Sequence, residues 1–189
     1  MKRPGALVGV VALAVLAYIL VNTLRTEGPG SRGLPPGSPM PAFAVPLAPS
    51  SLEGDANVSD RACSVRGPAI LNSCQLAKRG PVVLAFFAEP SQRCDDEVDR
   101  LDRLRGRFPG VQFAAVAVRG SRDALRRRVR DRGWRLPVGY DHDGAVANEY
   151  AVAVCPTITL ARRGGRVLKT LLGSQDDAQL RAAIRELGR

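Results

Sequence analysis

The distribution of apolar residues predicts a strand, a turn and a helix in the middle of the chain. Residues Val82–Phe87 form a continuous apolar run with β-branched and aromatic side chains, which is typical of a strand buried on both faces of a sheet. Turn-forming residues follow in Glu89–Arg93. Beyond Cys94, apolar residues recur at three-residue intervals and predict a helix with one apolar face (Val98, Leu101 and Leu104). Cys94 is therefore predicted to lie at or near the N-terminus of a helix.

The alternation of strands and helices continues to the C-terminus. Turn-forming residues separate the later apolar segments. The predicted elements are strands at Val111–Val118, Leu136–Tyr140, Thr157–Ala161 and Val167–Leu172, and helices at Ser121–Arg132, Ala145–Tyr150 and Ala178–Leu187. Strand–helix units that end in a hairpin favour an α/β fold with a central sheet of mixed strand direction.

The N-terminal part of the chain has a different composition. The segment Ala6–Leu24 carries no charge and is about long enough to cross a bilayer as a helix, and Lys2 and Arg3 before it favour a cytoplasmic N-terminus. We predict a single-pass membrane anchor over residues 1–26, with the bulk of the chain extracytoplasmic. A cleaved signal peptide is the alternative, and the domain is exported in either case. A Pro/Gly-rich linker is predicted over residues 27–41, and a folded domain over 42–189.

The chain of 189 residues is basic, with a net charge of +10 that comes mostly from arginine. Such a charge suits nucleic acid or anionic lipid, but export of the domain means that nucleic acid is not an expected partner. Six arginines lie within the predicted helix Ser121–Arg132. They indicate either a surface for anionic lipid or an acidic partner, or a solvated helix face.

The cysteines are the main candidates for chemistry. Four cysteines, an even number, suit an oxidising compartment. Cys63 and Cys74 are eleven positions apart in the polar, irregular segment Ser50–Gly80 and predict a structural disulfide, which would stabilise the fold by about 2–3 kcal/mol. A catalytic pair is the alternative. The single histidine, His142, lies in an Asp/Gly turn typical of the surface, and no cofactor or metal site is predicted.

The segment Val82–Leu101 resembles the active-site segment of thioredoxin-fold proteins, most closely the membrane-anchored disulfide reductases of the TlpA/ResA type. Members of that family have a hydrophobic strand with an aromatic pair, then Trp-Cys-x-x-Cys, then a helix with an early glutamate. Phe86-Phe87 matches the aromatic pair, and Glu97 matches the early glutamate. Cys94 falls on the second cysteine of the motif.

The resemblance also shows where this chain departs from the family motif, and it identifies a second segment of the candidate active site. Ser91 falls on the first motif cysteine and Pro90 on the tryptophan, so the motif is Ser-x-x-Cys and lacks the cysteine that normally attacks. The stretch before Pro156 is similar to the one that carries the cis-proline of the thioredoxin fold. In that fold the residue before the cis-proline faces the sulfur of the motif, and here that residue is Cys155.

The resemblance implies a thioredoxin-like α/β fold, with a mixed central sheet flanked by helices. It implies thiol–disulfide exchange in which Cys94 acts with Cys155 as its partner, while Ser91 and Pro156 shape the site. The expected partners are protein thiols and disulfides or a redox partner protein, together with the bilayer around residues 6–24. Two alternatives are a non-catalytic binding or structural module with static disulfides, and a peroxiredoxin-like peroxidase in which Cys94 attacks a peroxide.

Overall fold

The computed structural model of the chain describes residues 11–18, 33–88 and 90–188. Residues 11–18 are helical and exposed, and the rest of the predicted anchor Ala6–Leu24 lies outside the described residues. Over the described ranges, no helix combines the length and the apolar character needed to cross a membrane. Residues 33–188 belong to a separate compact unit.

That unit contains seven strands and five α-helices among its described residues. In chain order they are β1 (Ala44–Pro46), β2 (Ile70–Asn72), α1 (Ser73–Arg79), β3 (Val82–Ala88), α2 (Gln92–Arg105), β4 (Gln112–Val118), α3 (Arg122–Arg132), β5 (Val138–Asp141), α4 (Ala145–Glu149), β6 (Thr157–Ala161), β7 (Val167–Leu172) and α5 (Asp177–Glu186). A short 3₁₀ helix, Ala62–Ser64, precedes β2. The predicted strands and helices from β3 onward are all present within a few residues of their predicted bounds.

Five strands form a mixed sheet in the order β5-β4-β3-β6-β7. Strand β4 is parallel to both of its neighbours, β3 and β5, whereas β6 is antiparallel to both of its neighbours, β3 and β7. Strands β1 and β2 form a separate antiparallel pair. The sheet confirms the predicted α/β fold with a central sheet of mixed direction, and it places β3 at the centre.

The central strand β3 is buried on both faces, as its continuous apolar run predicts. Alternate residues enter two different core clusters, because successive side chains of a strand point to opposite faces. Phe87 lies on the side of the sheet covered by α2, α3 and α5. Phe86 lies on the other side, where its ring packs 4.9 Å from the ring of Tyr150. The apolar stripe predicted for α2 is fully buried against the first of these faces (Val98, Leu101 and Leu104).

Residues 27–41 were predicted to form a linker. From residue 33 onward the chain instead packs along β7. The backbone N–H of Gly37 donates to the carbonyl of Val167 at 2.8 Å. The Thr170 hydroxyl donates to the carbonyl of Leu34 at 2.9 Å, and the Leu34 side chain is buried. A proline-rich chain has few donors, and the Met40 N–H donates to the carbonyl of Gly165, in the turn before β7, at 2.7 Å. The folded unit therefore includes residues 33–41.

The segment Ser50–Gly80, predicted to be irregular, contains a short strand and a helix. Strand β2 and helix α1 are only three and seven residues long, too short to produce a clear periodicity in the sequence. The Asn72 side chain accepts a hydrogen bond from the N–H of Gln75 at 3.1 Å and so caps the N-terminus of α1. Cys74 is the second residue of this helix.

Candidate active site

Cys94 is held at the start of α2, directly after the central strand. The chain leaves β3 at Ala88, and Ser91 is the N-cap residue of α2. The backbone N–H groups of Cys94 and Asp95 both donate to the carbonyl of Ser91 at 3.1 Å, which forms the first turn. Cys94 is the third residue of the helix and only 1% exposed, and it belongs to the core cluster under the sheet. The predicted position of Cys94 at a helix N-terminus is confirmed.

Cys155 is held at the start of β6. The peptide bond between Cys155 and Pro156 is cis, as the resemblance implies. The Thr157 hydroxyl donates to the carbonyl of Val154 at 2.7 Å and so closes the turn that contains both residues. On its other side, the Cys155 Sγ accepts a hydrogen bond from the backbone N–H of Ala88 at 3.3 Å. The end of β3 and the beginning of β6 therefore hold Cys155 between them.

The fold brings the two cysteines together. Strands β3 and β6 are antiparallel neighbours, so the turn after β3 lies beside the turn before β6. A disulfide joins Cys94 and Cys155, whose Cα atoms are 5.8 Å apart although 61 positions separate them in the sequence. Ser91, at the position of the first motif cysteine, is half-buried, and its side chain makes no capping hydrogen bond to α2.

A small apolar recess opens beside Cys155. It has a volume of about 150 Å³. The lining residues come from the ends of β3 and β4 and from the turn before β6 (Phe86, Phe87, Ala88, Val118, Val152, Ala153, Val154 and Cys155). Val154, directly before Cys155, is 41% exposed. Solvent and small reagents can thus approach the site from the side of Cys155.

The second cysteine pair and the histidine lie away from this recess. A disulfide joins Cys63 of the 3₁₀ helix to Cys74 of α1, with 5.5 Å between their Cα atoms. The predicted pairing of these two cysteines is therefore present. His142 is exposed and its Nδ1 lies 3.0 Å from a carboxylate oxygen of Asp55.

Comparison with known proteins identifies the family. Residues 36–170 match the AhpC/TSA family. The chain belongs to the AhpC/TSA family. Its relatives include the thiol-disulfide oxidoreductase ResA of Bacillus thuringiensis (strain Al Hakam), which is 24% identical over 108 residues, or 56% of this chain and 62% of the relative. The chain thus spans less than two thirds of the length of this curated relative.

Two solved structures have the same fold as this AhpC/TSA family member. A thiol:disulfide interchange protein DsbE from Chlorobium tepidum superimposes with a TM-score of 0.67 at 19% identity, covering 82% of this chain and 98% of that one. A DsbF homologue from Corynebacterium diphtheriae gives a TM-score of 0.65 at 18% identity, covering 86% and 96%. The thioredoxin-like fold and the resemblance to TlpA/ResA-type oxidoreductases are confirmed.

The acidic first turn of α2 contacts the basic helix α3, a relationship that the sequence did not predict. The Asp95 carboxylate is 2% exposed, accepts a hydrogen bond from Arg128 and lies 3.5 Å from Arg132 Nη2. Arg132 also bonds to Asp99 at 2.7 Å. Burial raises the pKa of Asp95, and the charges of Arg128 and Arg132 oppose this rise. In this AhpC/TSA family member the turn that carries Cys94 is therefore tied to α3.

Four of the six arginines of α3 form hydrogen bonds or ion pairs with other residues of the domain. At the start of the helix, Arg126 Nε donates to the carbonyl of Ala48 at 3.0 Å, and Arg122 Nη2 donates to the hydroxyl of Ser50 at 2.8 Å. At its end, two arginines bind the acidic residues of α2 (Arg128 and Arg132). The remaining two of the six predicted arginines are exposed (Arg127 and Arg130).

Glu97, the early helix glutamate of the resemblance, is buried beneath the start of α5. Its side chain is 1% exposed, and Oε2 accepts a hydrogen bond from the N–H of Gln175 at 3.4 Å. Its other oxygen, Oε1, has no hydrogen-bond partner among the described residues. Burial raises the pKa of Glu97, while the charge of Arg100 and the N–H of Gln175 oppose this rise.

Proposed function

We propose that the protein is a thiol–disulfide oxidoreductase that works through the Cys94–Cys155 pair. The observation that carries the proposal is the position of the two sulfurs, one at a helix N-terminus and one at the cis-proline turn, with Cα atoms 5.8 Å apart. Disulfides form when Cα atoms lie about 4.4–6.8 Å apart, so the backbone need not move for the bond to open and close. The name of the relative ResA, thiol-disulfide oxidoreductase, supports the same reaction.

The environment of each sulfur suits exchange. A thiolate attacks a disulfide, and a second thiolate resolves the mixed disulfide that results. The N-terminus of α2, a helix of 14 residues, stabilises negative charge on Cys94. The Ala88 N–H, at 3.3 Å, stabilises negative charge on Cys155. The substrates that fit this chemistry are thiols and disulfides of other proteins, including a redox partner protein.

We also propose that the domain works outside the cytoplasm, on a chain anchored through residues 6–24. The uncharged segment with Lys2 and Arg3 before it supports this topology. Two disulfides among the described residues suit an oxidising compartment. Labelling of intact cells with a membrane-impermeant maleimide, after mild reduction, tests the topology: the domain cysteines should react without lysis, and reaction only after lysis would contradict the proposal.

The activity is tested by titrating the purified chain with dithiothreitol and labelling the thiols that appear. We expect Cys94 and Cys155 to become labelled together at mild reducing potential, while Cys63 and Cys74 stay protected. A variant with Cys63→Ser and Cys74→Ser is the matched control, and it should show the same mild transition. A Cys94–Cys155 bond as resistant as the Cys63–Cys74 bond would contradict the proposal.

A non-catalytic binding module is the second candidate. Two observations favour it: Ser91 stands where the resemblance places the attacking cysteine, and Cys94 is only 1% exposed. The same titration separates the two functions, because a module with static disulfides would not open at mild potential. A peroxidase would instead consume hydrogen peroxide, with activity lost in Cys94→Ala and retained in Cys155→Ala.

A further inference from the structure

The two sulfurs of the site differ in their access to solvent. Cys94 is 1% exposed and packs into the core cluster that α2 shares with the sheet. Cys155 is partly exposed, lines the recess of about 150 Å³, and follows two exposed residues (Ala153 and Val154). Cys94 does not line this recess. A reagent that arrives from solvent therefore meets Cys155 first.

We propose that Cys155 is the sulfur that exchanges with substrates and that Cys94 is the resolving sulfur. This inference rests on the proposed function and assigns an order to its two cysteines. It places the attacking role at the cis-proline turn, because Ser91 occupies the motif position that would otherwise carry the attacking cysteine.

The direction of attack supports the same order. An incoming thiolate approaches a disulfide along the S–S axis, from the side opposite to the sulfur that leaves. Attack on Cys94 would have to reach a sulfur that is only 1% exposed and that belongs to the same core cluster as Val98 and Leu101. Attack on Cys155 expels Cys94 as a thiolate at the N-terminus of α2, where the helix dipole stabilises it.

The backbone supplies a fixed donor for Cys155. The Ala88 N–H lies 3.3 Å from Cys155 Sγ. A donor at this position stabilises the thiolate of Cys155 when it attacks, and again when it leaves a mixed disulfide. Because the donor belongs to the end of the central strand β3, its position does not depend on a side-chain rotamer.

The reaction balances without a further reagent. When the protein acts as reductant, the Cys155 thiolate attacks a substrate disulfide, forms a mixed disulfide and releases one substrate thiolate. The Cys94 thiolate then attacks Cys155 Sγ, forms the Cys94–Cys155 bond and releases the second substrate thiolate. Two electrons pass from the protein dithiol to the substrate disulfide, and the protons exchange with solvent. The reverse sequence oxidises a substrate dithiol.

The test compares single-cysteine variants of the site in the full chain, with oxidised glutathione as the probe. We expect Cys94→Ser, which retains Cys155, to form a glutathione adduct at least about tenfold faster than Cys155→Ser, which retains Cys94. The adduct is measured by intact mass and located by peptide mapping. In both variants the intact Cys63–Cys74 disulfide and the thermal unfolding transition report whether the chain has folded.

A second measurement needs no variant. The oxidised wild-type chain is treated with limiting reduced glutathione, quenched with acid and mapped, and we expect the glutathione on Cys155. Glutathione predominantly on Cys94, or equal or faster reaction of Cys155→Ser, would overturn the assigned order while leaving the proposed function intact. A wild-type Cys94–Cys155 bond that does not react with glutathione, and that resists dithiothreitol as strongly as the Cys63–Cys74 bond does, would overturn both proposals.

Discussion

Asp95 of α2 and Arg128 of α3 form an ion pair directly beside the candidate active site. The carboxylate is buried, and the Arg128 side chain is 25% exposed. Asp95 follows Cys94 in the sequence, so the pair joins the turn that carries the buried sulfur to a different helix. The contact links residues 33 positions apart, and it gives the basic helix α3 a structural role.

Removal of Arg128 should destabilise the fold. In Arg128→Ala the Asp95 carboxylate stays buried with only the more distant Arg132 to compensate it, and we expect the free energy of unfolding to fall by roughly 3 kcal/mol. Arg127→Ala, which removes an exposed arginine of the same helix, is the matched control and should change it by less than about 0.5 kcal/mol. Urea unfolding measures both, and equal effects would show that the ion pair is not the cause.

Glu97→Gln should alter the pH dependence of stability. Because burial raises the pKa of Glu97, the folded state keeps this proton to a higher pH than the unfolded chain does. The free energy of unfolding therefore decreases as the pH rises above the ordinary value of 4.5 towards the raised pKa, and the stabilisation is fully present at lower pH. Glutamine does not titrate, so the variant should lose this part of the slope.

Urea titrations at a series of pH values measure the slope. Glu149→Gln provides the control, since Glu149 is an exposed carboxyl at the end of α4. If wild type and Glu97→Gln have the same slope, the buried carboxyl does not contribute to it.

Ser91→Cys should redirect the pairing of Cys94. The substitution places a sulfur three residues before Cys94, at the N-cap of α2, and so restores the Cys-x-x-Cys spacing of the TlpA/ResA-type proteins. We expect peptide mapping under non-reducing conditions to find Cys94 bonded to position 91, with Cys155 available to alkylation. Ser91→Ala should retain the Cys94–Cys155 bond. Persistence of that bond in Ser91→Cys would show that the cis-proline turn holds the pair more strongly than the restored motif does.

The Cys63–Cys74 disulfide should contribute stability and not activity. Replacing both cysteines by serine removes a cross-link over 11 positions, and we expect a loss of about 2–3 kcal/mol in the free energy of unfolding. Exchange with glutathione at Cys155 should keep its wild-type rate. A rate that falls more than about tenfold in a folded double variant would instead show that the second pair takes part in exchange.

Residues 33–41 should be required for full stability. A chain truncated to begin at Ala42 loses the burial of Leu34 and the hydrogen bonds to β7, and we expect it to be less stable by about 3 kcal/mol than a chain that begins at Gly33. Gly33 has a φ of +68°, and a Cβ there would lie 2.3 Å from Thr170 Cγ2, so Gly33→Ala in the longer chain should also destabilise it. Equal stability of the two truncated chains would support the predicted boundary at Ala42.

The longest elements of the fold were predictable because their apolar patterns are unambiguous. The run in β3 and the stripe on α2 are long enough to distinguish a buried strand from an amphipathic helix. The short elements were not predicted, because β1 and β2 have only three residues each and α1, with seven residues, is only about two helical turns long. The packing of residues 33–41 was not predicted, because backbone hydrogen bonds to an edge strand do not require a particular pattern of side chains.

The candidate site was predictable only in part. The pattern alone places Cys94 at a helix N-terminus, but its pairing with Cys155 was predicted through the family resemblance, since no local pattern relates residues 61 positions apart. The hydrogen bond from Ala88 could not be predicted, because its donor is a main-chain N–H. The pairing of Asp95 with Arg128 was not predicted either. Both charges are evident in the sequence, but their contact depends on how α2 and α3 pack.

The segment that precedes β2 bonds to both edge strands of the central sheet, and this affects how a client protein can bind. Its residues bond to the edge strand β7 through Gly37 and Ser38, and to the opposite edge strand β5 through Ala48, whose N–H donates to the Val138 carbonyl at 2.8 Å. Each edge strand of the sheet thus has a backbone partner from a single stretch of chain, at Val167 on β7 and at Val138 on β5, and these positions are not open to an added strand from a client. Under the proposed function, a client protein would then bind at the strand ends, where Cys155 lines the recess.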